Sequence, residues 1–297
     1  MKIKIVTAIY NGLFGTDLGG RPGRNNPYKY SLKSLLQMTS ADFVCYTSEK
    51  DIDDLKKFFY ETHGFSEDRI TFKLFDLRNT HFTERINKLK KLEETKKSDR
   101  CFEIQYSKFI WLYDEYDNEY DYLYWFDAGL CHNGLIPFKY LNNKGETQFE
   151  KLYTSPLFNN KFLSNLTKHS GDKISVVTKN NVKHFWSQGL PQGYYIKGFS
   201  NKLHVIGGFF GGKIDITRKY VDLFNELLEL LLVKEDVLYF EEQIMSCIYY
   251  TFPEMFNTFY FDLWWHEDQI INGISDMKKY VGDQRSFYKI LEELNEE

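Results

Sequence analysis

The chain has few of the residues that mark secreted, membrane-bound or disordered proteins. It contains four cysteines and six prolines in 297 residues. The cysteines lie singly, without a C-x-x-C pair, so we expect free thiols in a reducing compartment. The most apolar stretch, Leu227 to Val233, contains Glu229 and is far shorter than the roughly 20 residues of a membrane span. The run from Lys2 to Ile9 lacks the long apolar region of a secretory signal. We therefore expect a cytoplasmic protein without a membrane span.

An excess of positive charge and the common nucleotide and hydrolase motifs are also missing. The chain has 38 Lys and Arg against 42 Asp and Glu, a net charge of −4. No basic excess therefore indicates a nucleic acid or an anionic membrane. The patterns G-x-x-x-x-G-K-[ST], G-x-G-x-x-G, G-x-S-x-G and H-E-x-x-H are absent from the sequence. Their absence argues against P-loop and dinucleotide sites and, together with the lack of a clustered Cys/His set, against a serine hydrolase and a structural zinc module.

Aromatic residues are unusually abundant, at 18% of the chain. Much of this mass is expected in the core, as in the run from Tyr122 to Trp125. Other aromatic residues are predicted at the ligand-facing ends of elements, where bases and sugars offer flat faces for stacking. These are Tyr10, Phe209, Phe210, Trp264 and Trp265.

Strand-like and helix-like segments alternate through the first 130 residues. Strands are predicted at 2–9, 43–47, 70–77 and 122–126, and helices at 28–38, 51–62 and 102–116, with a solvated helix face at 84–98. This alternation predicts an α/β domain with a mostly parallel sheet flanked by helices on both faces. Such sheets bind ligands beyond the carboxyl ends of their strands.

The second half of the chain has weaker periodicity. Residues 138–203 are polar and predict an irregular insert with short strands at 173–178 and 194–197. A glycine-rich strand is predicted at 202–212, and helices at 217–233, at 275–297 and from an Asp236 cap to residue 250. Because no repeat or composition break divides the chain, we predict one domain, 1–297.

Asp127 is predicted at the tip of a buried strand. The apolar run before it ends abruptly, and Ala128 and Gly129 follow. An acid in this position faces the ligand crevice, where a metal–diphosphate or a sugar hydroxyl binds. The alternative is a strand-end turn in which Asp127 accepts hydrogen bonds from backbone amides.

The pairs Gly207-Gly208 and Gly211-Gly212 interrupt the later strand. Glycine weakens a strand and is favoured where the backbone closely approaches a ligand. A bulge or a sheet corner is the structural alternative.

Glu241 and Glu242 open a predicted helix. They complement its dipole, or one of them is a general base that deprotonates an acceptor hydroxyl. Successive helical side chains point about 100° apart, so we expect only one of them to face the site.

Two further segments carry candidate ligand-binding side chains. His266, beside the paired tryptophans, is suited to bind a metal together with Asp127, or else serves packing. Arg21 and Arg24 follow the first strand and are suited to neutralise a diphosphate, or else solvate the surface.

Taken in order, several of these segments resemble the HtrL/YibB-like bacterial family and, more broadly, glycosyltransferases of the GT-A (Rossmann-like) fold. The resemblance extends from residue 1 to about residue 268, excluding the insert. The segments that carry it are Ile5 to Tyr10, Gln105 to Phe109, Trp125 to Gly129, Gly207 to Gly212, and Glu241 to Gln243.

The resemblance implies transfer of a sugar from a nucleotide-diphosphate donor. It places the nucleotide at Thr7, Ala8 and Tyr10. From the residues themselves, we predict further donor contacts from Arg21, Arg24, Lys108, Gly207 and Gly208. In GT-A enzymes an Asp-x-Asp pair binds Mn²⁺ or Mg²⁺; here Asp127 lacks the second acid, which leaves His266 as the alternative ligand. Glu241 or Glu242 takes the place of the base. Inverting and retaining routes both stay open.

The sequence therefore favours a sugar transferase that acts on an envelope glycan or a lipid-linked saccharide. Residues 1–130 form the predicted nucleotide-sugar-binding half, and residues 131–297 the acceptor-side half. A phage-type enzyme that glycosylates a modified DNA base is an alternative, although the charge of −4 does not favour a nucleic-acid acceptor. The aromatic excess also leaves open a non-catalytic carbohydrate-binding protein, and the segment from Gly19 to Arg24 leaves open a nucleotidyltransferase.

Overall fold

Seven strands form one sheet in the computed structural model, which describes residues 1–10, 25–37, 40–92, 101–128, 161–179, 204–234 and 238–261. The strands are β1 (Ile3–Ile9), β2 (Asp42–Thr47), β3 (Ile70–Leu74), β4 (Tyr122–Phe126), β5 (Ile174–Lys179), β6 (His204–Lys213) and β7 (Phe256–Phe261). Their order in the sheet is β3-β2-β1-β4-β6-β5-β7. All pairings are parallel except those of β6, which runs antiparallel to both β4 and β5.

Helices cover both faces of the sheet. They are α1 (Asn25–Gln37), α2 (Glu49–Lys56, continued as a π-helix over Lys57–Thr62), α3 (Thr83–Leu92), α4 (Phe102–Asp114), α5 (Lys161–Ser170), α6 (Ile214–Glu229, continued as a π-helix over Leu230–Lys234) and α7 (Glu241–Thr251). A 3₁₀ turn at Pro253–Met255 leads into β7. None of the helices within the described ranges has the length and apolar character that a membrane span requires.

The strand order confirms the predicted fold class. The 3-2-1-4 part is the order of doubly wound α/β sheets, and β6 is the reversed strand of an otherwise parallel sheet. The protein is thus an α/β domain with a mostly parallel sheet, and strands from both halves of the chain lie in that sheet. Because β6 is reversed, its first residues lie at the same edge as the last residues of β1, β2 and β4.

Alternate residues of each strand enter two different core layers. Trp125 of β4 packs with α3, α4, α6 and α7 on one face. Tyr124 packs with α1, α2 and α5 on the other. Since both faces are covered, the strands are apolar throughout, as expected for a buried parallel sheet.

This burial changes the predicted role of two aromatic side chains. Phe209 and Phe210 are both 0% exposed. Phe210 stacks on Phe109 of α4 with ring centroids 5.1 Å apart, and Phe209 packs on Phe126 at 5.7 Å. The prediction that they form a stacking platform for a sugar is therefore wrong, because consecutive strand residues point into opposite core layers.

Most element boundaries agree with the prediction, and the exceptions have packing causes. The segment predicted as a solvated face is α3, which buries Ile86 and Leu89. The helix predicted from Asp236 begins at Glu241, where the Gln243 side chain caps it by accepting a hydrogen bond from the Phe240 amide (2.9 Å). Helix α5 and strand β7 were not predicted, whereas the predicted segments at 194–197 and 275–297 lie outside the described residues.

The second glycine pair of β6 has a structural role. Gly211 has a φ of +144°, and a Cβ there would overlap the carbonyl oxygen of Leu123 on β4. A Cβ on Gly212 would overlap the carbonyl oxygen of Lys173. The β5–β6 register shifts between Val176, opposite Phe210, and Val177, opposite Ile206, so the extra residues of β6 are 207–209. The bulge alternative therefore applies to Gly207 and Gly208, whereas Gly211 and Gly212 stay in register with β4.

Replacing Gly211 by Ala is expected to lower the free energy of unfolding by about 2 to 5 kcal/mol, because it adds both backbone strain and overlap. Gly64 is the matched control, since its φ is +69° and its Cβ would meet nothing within 4 Å. Gly64→Ala should lose only the strain of about 1 to 2 kcal/mol. Urea denaturation measures both variants, and equal losses would contradict this account of Gly211.

Candidate active site

A buried lysine forms the centre of the candidate site. The Nζ of Lys108 on α4 lies 3.0 Å from the carbonyl oxygen of Gly207. It also lies 3.1 Å from Oδ1 of Asp127 and 3.1 Å from Oε1 of Glu241. Lys108 is 5% exposed. An ammonium group has three hydrogen-bond donors, and here three oxygens surround it. The contacts join α4, β4, β6 and α7.

The neighbours of Lys108 on α4 explain how a lysine comes to be buried here. Tyr106, Phe109 and Trp111 are all fully buried, so the aliphatic part of Lys108 passes through apolar core. Its ammonium then emerges at the edge of the sheet beside the ring of Trp125, 5.3 Å from the centroid. Burying this ammonium without a partner would lower the free energy of unfolding by several kcal/mol, on the order of the desolvation penalty of a buried ion. The acidic partners are therefore required.

The acidic partners also set the protonation of the cluster. Burial alone would lower the pKa of Lys108, but the carboxylates of Asp127 and Glu241 outweigh burial and raise that pKa above its ordinary value. Burial raises the pKa of Glu241, Lys108 opposes this shift, and Glu242 and Asp127 add to it. Lys108 therefore stays charged at neutral pH, and removing it would leave Glu241 without its counter-charge.

Asp127 lies at the predicted strand tip, with its side chain 41% exposed. Its backbone amide donates to the Gly208 carbonyl oxygen (2.8 Å). Its Oδ1 accepts the indole N–H of Trp125 (2.8 Å) and the ammonium of Lys108. Among the described residues, the partners of this carboxylate are therefore side chains rather than the backbone amides of a strand-end turn.

Glu241 and Glu242 both contact Gly207, which corrects the expectation that only one of them would face the site. The Gly207 amide donates to Oε1 of Glu242 (3.0 Å), and a Cβ on Gly207 would lie 2.9 Å from Oε1 of Glu241. The bulged start of β6 therefore fits between the two carboxylates. Glu241 is 7% exposed and paired with Lys108, whereas Glu242 is half-buried and more accessible.

The end of β1 borders a cavity of about 680 Å³. Tyr10 lines the cavity and donates its hydroxyl to the Phe75 carbonyl oxygen (3.0 Å). Thr7 is fully buried, and Ala8 is half-buried. The rest of the lining comes from residues 48–51 and 74–78, which follow β2 and β3. Those two segments are not among the predicted site residues, although the rule that ligands bind at strand carboxyl ends identifies them.

Stacked aromatic rings connect this cavity with the lysine cluster. Tyr10 stacks on Trp111 with ring centroids 5.9 Å apart. Trp111 stacks on Trp125 at 5.7 Å, and Trp125 donates to Asp127. A continuous series of stacked rings thus extends from the cavity to the cluster.

The remaining predicted site residues, Arg21, Arg24 and His266, lie outside the described residues, as do Trp264 and Trp265. Across the ranges that the structure describes, no group of three or more His, Cys, Asp or Glu side chains is placed to hold a metal ion. The oxygen of Asp127 that points into the cluster already contacts an ammonium. The described residues therefore do not fit a divalent cation at Asp127.

No protein-family model matches the chain, and no curated protein matches it. Among solved structures, mouse xyloside xylosyltransferase 1 is 12% identical with a TM-score of 0.46, covering 94% of this chain and 93% of that one. The galactosyltransferase LgtC, in complex with donor and acceptor sugar analogues, is 11% identical with a TM-score of 0.40, covering 95% and 83%. The 4-diphosphocytidyl-2C-methyl-D-erythritol synthase of Anaerococcus prevotii is 10% identical with a TM-score of 0.41, covering 95% and 96%.

These identities and TM-scores are low, so the fold class rests on the strand order of the sheet. The resemblance to the HtrL/YibB-like family is not confirmed and stays a prediction.

Lys108→Met is expected to lower the free energy of unfolding by about 3 to 5 kcal/mol at pH 8, because it leaves the buried carboxylate of Glu241 without its counter-charge. The loss should be smaller at pH 5. In the variant, the pKa of Glu241 stays raised because of burial and the nearby carboxylates of Asp127 and Glu242. Glu241 therefore holds a proton in the folded state up to a higher pH than in the unfolded state. The folded state loses stability as the pH rises from 5 to 8. In the wild type the pKa of Lys108 is raised, so its contribution is present at neutral pH and is lost only at alkaline pH.

Urea denaturation at several pH values between 5 and 8 measures this effect. The matched control is Lys213→Met, which removes an exposed lysine paired with Asp172. Its effect should not change with pH over this range. A loss for Lys108→Met that is equally independent of pH would contradict the proposed coupling to Glu241.

Proposed function

We propose that this protein is a glycosyltransferase that moves a sugar from a nucleotide-diphosphate donor to an acceptor hydroxyl. The observation that carries the proposal is the meeting of Glu242 with the Lys108–Asp127–Glu241 cluster at the carboxyl edge of the sheet. Open α/β sheets bind ligands at this edge. A partly accessible carboxylate held beside a fixed charge cluster is suited to proton transfer.

The cavity at the ends of β1, β2 and β3 is the proposed nucleotide site. Its volume of about 680 Å³ is within the range of roughly 300 to 1,000 Å³ found for small-molecule sites. Tyr10 and Phe75 supply aromatic surface, Ser48 and Asp76 supply polar groups for hydroxyls, and Arg78 supplies positive charge. We propose residues 1–130 as the donor half and residues 131–297 as the acceptor half, and we propose an envelope glycan or a lipid-linked saccharide as the acceptor.

Glu242 is the proposed general base. Its carboxylate takes the proton of the acceptor hydroxyl while that oxygen forms a bond to the anomeric carbon of the donor. The bond between the anomeric carbon and the diphosphate breaks, and the electron pair leaves with the nucleoside diphosphate. The amide of Gly207 fixes one oxygen of Glu242 by a hydrogen bond of 3.0 Å, so the carboxylate is held in one orientation before the acceptor binds.

Donor binding is tested by thermal shift with UDP-glucose, UDP-galactose, GDP-mannose, dTDP-glucose and CMP-sialic acid. A donor at about 100 times its dissociation constant stabilises the folded state by roughly 2.7 kcal/mol. We expect at least one of these compounds to raise the melting temperature. If none of them does, the proposed donor class is rejected.

Glu242→Gln is expected to lower turnover of the bound donor by roughly 10² to 10⁴-fold with its affinity little changed, as for loss of a general base. Release of nucleoside diphosphate measures turnover, and the thermal shift measures affinity. Glu226→Gln, which changes an exposed carboxylate on α6, is the matched control and should retain full turnover. A wild-type protein that binds the donor without turning it over would instead support a carbohydrate- or nucleotide-binding role.

A further inference from the structure

The contacts of Lys108 bear on whether this site uses a metal ion. In the fold family that the sequence resembles, the acid at the end of the central strand binds a divalent cation. Here that acid is Asp127, and its Oδ1 is 3.1 Å from the Lys108 Nζ. The same nitrogen is 3.1 Å from Oε1 of Glu241 and 3.0 Å from the carbonyl oxygen of Gly207. A positive charge therefore already lies beside Oδ1 of Asp127.

The three oxygens around this nitrogen are of the kind that hold hard divalent cations. Two are carboxylate oxygens and one is a backbone carbonyl oxygen, which is the ligand chemistry of Mg²⁺, Mn²⁺ and Ca²⁺ sites. They come from three different elements, β4, β6 and α7, and converge on one point. We propose that the Lys108 ammonium takes the place of a divalent cation in this protein, so that Asp127 is not a metal ligand and donor binding needs no metal ion.

A metal ion and the Lys108 ammonium would compete for this position. The ammonium would repel a second cation at hydrogen-bond distance from the same carboxylate. The Trp125 indole also donates to Oδ1 of Asp127, which leaves that oxygen with two hydrogen-bond donors. Lys108 is enclosed by core side chains, so it has little freedom to move away. The raised pKa of Lys108 agrees with a permanently charged group.

The direct test uses Mn²⁺ alone, followed by electron paramagnetic resonance, in which bound Mn²⁺ loses its free-ion signal. The wild type and Asp127→Asn are expected to give the same titration. Lys108→Met should gain about one bound Mn²⁺, since the oxygens at this position are then available, and Lys108→Met/Asp127→Asn should lose it again. Lys213→Met removes an exposed lysine and controls for the change in net charge.

Two results would overturn the inference. One is a wild-type protein that binds Mn²⁺ in a way that Asp127→Asn abolishes. The other is a Lys108→Met variant that has the circular dichroism of the wild type and binds no Mn²⁺. Should Lys108→Met fail to fold, the comparison of wild type with Asp127→Asn decides alone.

The consequence for donor binding rests on the proposed function. The nucleotide sugars of the thermal-shift panel should give equal shifts in EDTA and in Mn²⁺. A shift that EDTA abolishes overturns metal independence. A panel without any shift rejects the donor class, whereas the Mn²⁺ titration still tests the role of Lys108, so the two failures are distinguishable.

Discussion

The buried charge of Lys108 is the constraint on which the arrangement of the site depends. A single ammonium group in the core must be surrounded by acceptors, and the chain supplies them from β4, β6 and α7. Two of these partners are 99 and 133 residues away from Lys108 along the chain. Closing the cluster therefore requires β6 and α7 to be in place beside the end of β4, and a shift of either would leave a charge unpaired.

The fold and several members of the cluster are predictable from the sequence. The alternation of strand and helix patterns predicts the parallel sheet. An acid directly after an apolar run predicts that Asp127 lies at a strand end. The resemblance indicated Lys108, Gly207, Glu241 and Glu242. None of these patterns showed that Lys108 contacts Asp127 and Glu241, because long-range pairing has no local signature. The glycine pattern likewise did not separate Gly207, which fits between two carboxylates, from Gly211, which serves strand contact.

The aromatic excess has a different meaning from the one that the sequence suggested. Trp111 is fully buried and stacks on Tyr10, Tyr46 and Trp125. These stacked rings fill the core between the cavity and the lysine cluster. A sheet that is covered by helices on both faces needs large apolar side chains on both faces. Phe209 and Phe210 are therefore buried in the core and cannot contact a ligand.

The reversed direction of β6 has a consequence for the backbone groups at the edge of the sheet. Strand β6 begins at His204, beside the ends of β4 and β5, so its first amides lie at the edge that carries Asp127. The parallel strands bring their last residues to this edge, whereas β6 brings its first. The amide of Gly207 can therefore donate to Glu242, and its carbonyl oxygen can accept from Lys108, at a point where a parallel β6 would have placed its other end.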